Sequence, residues 1–388
     1  VERLERRISP PAFLADPALG AVLAVLPRAR LVGGCVRDTL LDLPVADIDL
    51  ATPDLPESVM AALRDGGLRA VPTGIGHGTV TAVSQGRAFE ITTLRRDVAT
   101  DGRRAVVAFT EDWREDAARR DFTINAMSLT RDGRLADYFG GEDDLRAGRL
   151  RFVGDPAARL AEDRLRALRY FRFFGRYASQ APDAATAAAL RAAAADLRLL
   201  SSERVWSELK RILATPDPTP GLRLMRELGV LGAVLPEAGD PAPLQGLVAA
   251  GAPAEPMLRL VALLAPGAAS PAARLRLSNA EAEGLDALRR GPAIPMAADD
   301  AALLPLLADE PATVLIGRAW LAGAPDTVRA RLGALPRPVF PLTGADALAA
   351  GIGEGPGVGA ALAAVRRWWK DQGCAPDRAA CLARLAGE

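Results

Sequence analysis

Histidine is almost missing from this chain, and that scarcity narrows the chemistry more than any other feature. His77 is the only one among 388 residues, which removes histidine-pair catalysis, histidine-rich metal centres and any HD-type phosphohydrolase domain. Cysteine is nearly as scarce: Cys35, Cys374 and Cys381 are too few and too scattered for a disulfide framework or a zinc site. Lysine occurs only at Lys210 and Lys370, so nearly every basic side chain is arginine. The formal net charge is zero, which does not advertise a nucleic-acid partner, although binding depends on where charge sits rather than on its sum. No apolar run approaches the length of a membrane span. The stretch V-E-R-L-E-R-R-I-S-P carries charges where a signal peptide needs an apolar core. These features lead us to expect a soluble, cytoplasmic protein whose chemistry is done by carboxylates, arginines and metal.

The segment Leu31–Leu50, L-V-G-G-C-V-R-D-T-L-L-D-L-P-V-A-D-I-D-L, is the most informative in the chain. Val32 ends an apolar run expected to be a strand, and Gly33-Gly34 lets the backbone turn with no Cβ in the way. Backbone N–H groups at such a turn can approach phosphates closely. Asp47 and Asp49 flank Ile48 in a short apolar strand. Residues two apart on a strand share a face, so both carboxylates should leave together while Ile48 enters the core. Two carboxylates beside a phosphate cradle suit a pair of Mg2+ ions.

Strands are expected at Arg30–Val32, Ile48–Ala51, Thr79–Val83, Ala88–Thr93 and Arg134–Asp137. From about 155 onward the chain turns Ala-, Leu- and Arg-rich with helical periodicity and Pro/Gly breaks. Arg95–Arg119 reads as a mobile loop, and the alanine-rich 181–195 as a plain surface helix. His77 sits in a glycine-rich turn, where bonding a backbone group is its expected role. Glu90 lies between Phe89 and Ile91 and points opposite to them. It is either a third carboxylate beside the first two or an exposed strand glutamate.

R-R-D-F-T-I-N-A (Arg119–Ala126) supplies fixed positive charge and hydrogen-bond acceptors, and its pattern fits a strand or a helix equally. In E-D-R-L-R-A-L-R-Y-F-R-F-F-G-R (Glu162–Arg176), read as one helix, Asp163, Arg166 and Tyr170 share a face, with Arg169, Arg172 and Arg176 as a second row. S-S-E-R-V-W-S-E-L-K-R-I-L (Ser201–Leu213) reads as a capped amphipathic helix with a structural role.

G-G-x-V-R-D ahead of D-x-D, followed by G-I-G-H-G-T-V, R-R-D-F-T-I-N-A and E-D-x-x-R, resembles one branch of the polymerase-beta-like nucleotidyltransferases. That branch is the class II tRNA nucleotidyltransferases (CCA-adding enzymes) and bacterial poly(A) polymerases. The resemblance is strong over roughly 30–240 and fainter beyond. It implies an α+β fold: a small mixed sheet with helices as catalytic head over 1–150. A helical neck at 151–215, a body at 216–335 and a tRNA-binding tail at 336–388 would follow. It implies CTP and ATP as substrates, tRNA as partner and Mg2+ at Asp47 and Asp49, with Glu90 a further catalytic carboxylate. Gly34 and Arg37 are assigned to the triphosphate and Arg120 to the nucleotide, with Asp121 assigned to the ribose. Asp163 and Arg166 would read the base, with Arg169 and Arg172 beside them. Poly(A) synthesis, CC-only or A-only addition, and a catalytically silent RNA-binding role share these motifs. One departure stands out: where the family's loop carries a proline after its arginines, this chain has Ala105.

Overall fold

The computed structural model describes residues 6–100, 105–296 and 299–387. The chain divides into two compact units, Val1–Pro236 and Glu237–Glu388, and the candidate site lies wholly in the first.

Ten strands form among the described residues of the first unit: β1 (Arg6–Arg7), β2 (Arg30–Val32), β3 (Asp49–Thr52), β4 (Arg69–Gly74), β5 (Thr79–Ser84), β6 (Arg87–Thr93), β7 (Arg95–Thr100), β8 (Ala105–Phe109), β9 (Met127–Leu129) and β10 (Arg134–Asp137). Eight of them make one sheet in the order β1-β10-β9-β2-β3-β6-β5-β4. All its pairings are antiparallel except β3 with β6. Helices α1 (Pro17–Val25), α2 (Gly34–Leu40) and α3 (Pro56–Asp65) belong to this head. The alternation along β5 is plain: Val80 and Ala82 are fully buried while Thr79, Thr81 and Val83 are half-buried on the opposite face, as period-two geometry requires.

Two expectations fail here. Arg95–Arg119 is not a structureless loop. Strands β7 and β8 pair as a separate two-stranded sheet, and α4 (Trp113–Ala118) follows, capped by Asp112, whose side chain accepts the Arg114 N–H at 2.8 Å. Asp116 and Ala117 of this helix are buried, and the buried acid holds Arg119 and its neighbour Arg120. The family departure at Ala105 has its backbone in β8, while Asp101–Arg104 lie outside the described residues. Ile48, expected in the core, is only half-buried and precedes β3, because pairing with β2 begins at Asp49.

Beyond β10 the first unit is helical: α5 (Gly141–Arg146), α6 (Pro156–Glu162), α7 (Leu165–Tyr177), α8 (Ala184–Ala193), α9 (Ser202–Leu213), α10 (Thr219–Glu227) and α11 (Val230–Val234). An aromatic cluster ties the motif after α4 to α7. Phe122 lies 5.0 Å from Phe152 and 5.3 Å from Phe173, and Phe152 lies 5.5 Å from Tyr170. Phe122 and Tyr170 are fully buried; each such ring pair contributes about 0.5–1.5 kcal/mol beyond its buried area. Tyr170 therefore belongs to the core, with its hydroxyl donating to the Leu150 carbonyl, and not to a ligand-facing row with Asp163 and Arg166.

The regular elements described in the second unit are helices, running from Ala242–Ala249 to Arg378–Ala386. Its cores include one around Leu303, Leu315, Ala319 and Leu332 and another around Ala347, Val365, Trp369 and Cys381. No described helix is long and apolar enough to cross a membrane.

Candidate active site

Strand β2 ends at Val32, and Gly33 then takes φ +72°, ψ −128° before α2 begins at Gly34. An L-residue rarely adopts that conformation, so the glycine is required to turn the chain here. A Cβ at Gly33 would also sit 3.3 Å from Arg120 Nη1. The turn thus brings its backbone against a guanidinium contributed from far along the chain.

Beside the turn, Val32 is paired with Asp49, and Asp49 is paired in parallel register with Glu90. Asp47 precedes the strand, and both aspartates are exposed to the cleft that they line. Partial burial and the neighbouring charges of Glu90 and Asp47 push the Asp49 carboxyl above its ordinary pKa, against the lowering pull of Arg120. Such mutual repulsion among carboxylates is what a bound cation relieves. Among the described residues no group of three histidine, cysteine or acidic side chains is already gathered around one ion position. The donor set is two carboxylates in tandem with a third beside them, an all-oxygen set that fits a hard divalent cation.

The cleft measures about 930 Å³, and arginines dominate its walls: Arg95, Arg119, Arg120, Arg166, Arg169, Arg172, Arg176 and Arg211. Buried acids behind the walls hold many of them. Asp116 accepts from Arg119 Nη2 at 2.7 Å and from Arg120 Nη2 at 3.1 Å. Burial alone would raise the Asp116 pKa, but the two guanidiniums hold it below the ordinary range. Asp121, 8% exposed, accepts the Phe122 N–H at 2.9 Å, Asn125 Nδ2 at 3.2 Å, and both Nε (2.8 Å) and Nη2 of Arg169. Four donors fill the roughly four lone-pair positions of its carboxylate. Arg37 is buried. It donates to both oxygens of Asp38 at 2.9 and 3.0 Å and to Asn125 Oδ1 at 2.6 Å. Its guanidinium lies 4.2 Å from the centroid of the Tyr177 ring. Asn125 therefore links the Gly-Gly helix to the Arg-Arg-Asp motif.

Glu162–Arg176 is not a single helix. It breaks at Asp163, which has φ −147° and ψ 106°, and α7 restarts at Leu165. The break turns the Asp163 side chain back to accept the Leu165 N–H at 3.1 Å, while Arg204 of α9 donates to both its oxygens at 3.0 and 3.2 Å. Arg166 does not pair with Asp163. It is pinned by the Arg159 carbonyl at 3.1 Å, Glu162 Oε2 at 2.5 Å and the Arg119 carbonyl at 3.0 Å. Both side chains line the cleft. On the same face of α9, one turn after Arg204, Glu208 is buried and pairs with Arg172 at 3.0 Å.

The structure thus gathers Gly33, Gly34, Arg37, Asp47, Asp49, Arg120, Asp121, Asp163, Arg166, Arg169 and Arg172 around one cleft. Glu90 stands next to Asp49 in the sheet rather than in the cleft wall. His77 differs from expectation: its imidazole is exposed, and its backbone carbonyl accepts from Arg95. Sequence reasoning gave no role to Asp116, Asn125, Asp38, Tyr177 or Arg204. Asn125, Asp38 and Arg204 stood inside quoted segments, and Asp116 lies three and four residues before the arginines it holds, so local spacing was a signal. Tyr177 meets Asp38 only through tertiary folding.

A mixed sheet whose Gly-Gly turn stands beside one carboxylate at the start of the next strand and another just before it, under an arginine-lined cleft, is the arrangement expected of a nucleotidyltransferase head. Residues 29–151 match the family described as Poly A polymerase head domain, and residues 181–240 the family described as Probable RNA and SrmB-binding site of polymerase A. The segment 29–151 is thus a head of the kind described for poly(A) polymerases, and the chain is similar to CCA-adding enzymes. It is 46% identical over 215 residues to the CCA tRNA nucleotidyltransferase 1, mitochondrial, of Danio rerio, covering 54% of this chain and 50% of that protein. It is 39% identical over 213 residues to the CCA-adding enzyme of Limosilactobacillus fermentum, covering 54% and 52%. The chain thus spans about half the length of the curated relatives it matches. The crystal structure of the Bacillus stearothermophilus CCA-adding enzyme in complex with CTP superposes with a TM-score of 0.77 at 28% identity, over 96% of this chain and 98% of that one.

Proposed function

We propose that the protein adds C, C and A to the 3′ end of tRNA, using CTP and ATP without a template strand. The observation that carries this reading is the juxtaposition of Asp49, its neighbour Glu90 and the Gly33 turn with an arginine-walled cleft. Similarity to an enzyme solved in complex with CTP and to relatives named CCA-adding supports it.

In this reading Asp47 and Asp49 hold divalent metal, Mg2+ being the ion expected, with Glu90 as the neighbouring carboxylate. When bound, that metal lowers the pKa of the RNA 3′-hydroxyl and takes up charge on the departing pyrophosphate. Arg37 and Arg120 hold the triphosphate against the Gly33–Gly34 turn, at a point where the backbone itself comes close. Asp121, with its lone pairs already filled by protein donors, acts through Arg169 and Asn125 rather than on a ribose directly. Arg169 and Arg172 lie along the nucleotide.

Asp163 and Arg166 read the base. Cytosine and adenine each present an exocyclic amine beside a ring acceptor, which suits a carboxylate that accepts and a guanidinium that donates. Uracil and guanine turn a carbonyl oxygen toward the carboxylate, and an unpaired group there costs about 1–3 kcal/mol, more with charge involved. The fixed positions of the two side chains, each tied to backbone, make them a template of protein. The RNA would be selected by shape and backbone contacts.

The description of the matched head family makes poly(A) synthesis the second reading, and CC-only and A-only addition share the same motifs. One assay separates them: the purified protein is offered tRNA lacking CCA, tRNA ending in CC and an unstructured RNA, with Mg2+ and single or mixed nucleotides. Completion of CCA on the first two followed by arrest supports the proposal. Long A-tracts on the unstructured RNA overturn it. Asp47→Ala should abolish transfer while tRNA binding survives, and retained transfer would remove the metal assignment.

A further inference from the structure

The sheet register beside Asp49 continues across three more strands. Asp49 is paired with Glu90, Glu90 with Thr81, and Thr81 with Val71. All four sit on one transverse row. On this face Thr73 and Thr81 share a hydroxyl–hydroxyl bond of 2.8 Å, and Thr79 and Thr92 one of 3.3 Å. The opposite face is core: Ala82, Phe89 and Ile91 are buried there. Thr73 and Glu90, by contrast, are exposed, and Thr79, Thr81 and Thr92 half-buried. A hydroxyl-lined track therefore leads from the carboxylates to the outermost strand, β4. At strand spacings of roughly 4.8 Å its length is about 14 Å, room for about four stacked nucleotides at roughly 3.4 Å each.

Chemistry fixes what arrives along it. Asp49 has two sides in the sheet: β2 with the Gly33 turn, and β6 with Glu90. The turn side faces Arg37 and Arg120, so the anionic triphosphate belongs there. In phosphoryl transfer the attacking and leaving oxygens lie roughly in line across the phosphorus. With pyrophosphate held on the turn side, the attacking hydroxyl must come from the Glu90 side, where the threonine track begins. The row itself carries no cation, Arg69 standing on this face two residues before Val71, so the row offers hydroxyls rather than positive charge. Its hydroxyls donate and accept, which matches the 2′-hydroxyl, itself donor and acceptor.

We propose that the Thr73–Thr81 face of β4–β6 is the seat of the single-stranded RNA 3′ end and recognises its ribose 2′-hydroxyls. This rests on the nucleotidyl-transfer reading above and adds to it where the acceptor strand lies and why it must be RNA.

The test substitutes Thr73→Val and Thr81→Val, singly and together, which keep strand-forming shape and remove the hydroxyls. Extension with CTP is measured on an acceptor whose last nucleotides before the terminal one are ribose or 2′-deoxyribose. Each lost hydrogen bond is worth about 2–12-fold, so the wild type should disfavour the deoxy acceptor by at least the lower figure through KM. The double variant should extend both acceptors alike, with CTP affinity measured without RNA unchanged. A double variant that keeps the wild-type ribose preference overturns the proposal, as does a wild type with no preference. A wild type that extends neither acceptor refutes the transfer reading instead. The track is then judged by fluorescence anisotropy with a labelled single-stranded RNA and its deoxy counterpart: a preference abolished by the double variant supports it, and equal binding overturns it.

Discussion

Asp121→Asn is the sharpest single-residue perturbation of the arginine scaffold, since it changes charge with almost no change of volume. The wild-type carboxylate, 8% exposed, accepts from Arg169 twice, from Asn125 and from the Phe122 N–H. An asparagine keeps one oxygen and turns an NH2 group toward donors, so part of the cluster meets donor against donor. Breaking a buried ion pair by removing one partner costs about 3–5 kcal/mol. Arg169 keeps a third of its side chain in water and can be rehydrated, so the lower end, about 3 kcal/mol, applies. For a unit of roughly 200 residues that is a fall in thermal midpoint of about 6–12 °C. The loss also depends on pH. Burial alone would raise the Asp121 pKa, but the charge and hydrogen bonds of Arg169, with those of Asn125 and Phe122, hold it below the ordinary value. Its contribution is therefore fully present above the unfolded carboxyl pKa of about 3.9 and disappears as pH falls through the lower folded value. Thermal scans at neutral and acid pH check both parts, because the gap between wild type and variant should narrow below about pH 4. A variant melting within about 2 °C of wild type at neutral pH, or a gap that widens in acid, would refute the reasoning.

Gly33→Ala should lower both stability and nucleotide affinity. The positive φ costs about 1–3 kcal/mol and the new methyl crowds Arg120 at 3.3 Å, so calorimetry and CTP titration should move together; an unchanged CTP affinity would separate the turn from the phosphates. Arg204→Met should relax base choice rather than stop transfer, because Arg204 orients Asp163 without lining the cleft. A rise of about tenfold in UTP use relative to CTP is expected, within what one lost directed hydrogen bond to a charged group supplies. Arg204→Lys should recover part of the discrimination, and in an Asp163→Asn background Arg204→Met should add nothing.

Motifs with strictly local chemistry were legible from the chain alone. Gly33-Gly34 had to be a turn, because the strand before it and the helix after it leave no other route. Arg30–Val32 and Arg134–Asp137 are the strands expected, and Asp47, Asp49, Asp163 and Arg166 do meet in one cleft. Periodicity misled where polar residues turned out to be interior. Arg95–Arg119 looked like a solvated loop because sequence cannot show that Asp116 is buried and neutralised by two arginines folded back on it. Glu162–Arg176 looked like one helix because nothing local marks the break at Asp163; Arg204, 41 residues later, holds the carboxylate in its turned-back position. Tyr170 sat on the predicted ligand face yet is drawn into the core by Phe122 and Phe152.

The division follows from the range of the forces. Backbone conformation, turn chemistry and motif spacing act over a few residues, so the sequence by itself marked the groups proposed to carry the chemistry: carboxylates, arginines and a glycine turn. Which arginines two of the buried acids hold depends on partners far along the chain: Arg169 lies 48 residues from Asp121, and Arg172 lies 36 from Glu208. The alignment of Asp49, Glu90, Thr81 and Val71 in one row likewise depends on sheet register. Only the tertiary structure decides these, because a buried charge is tolerated only where its partner arrives in three dimensions.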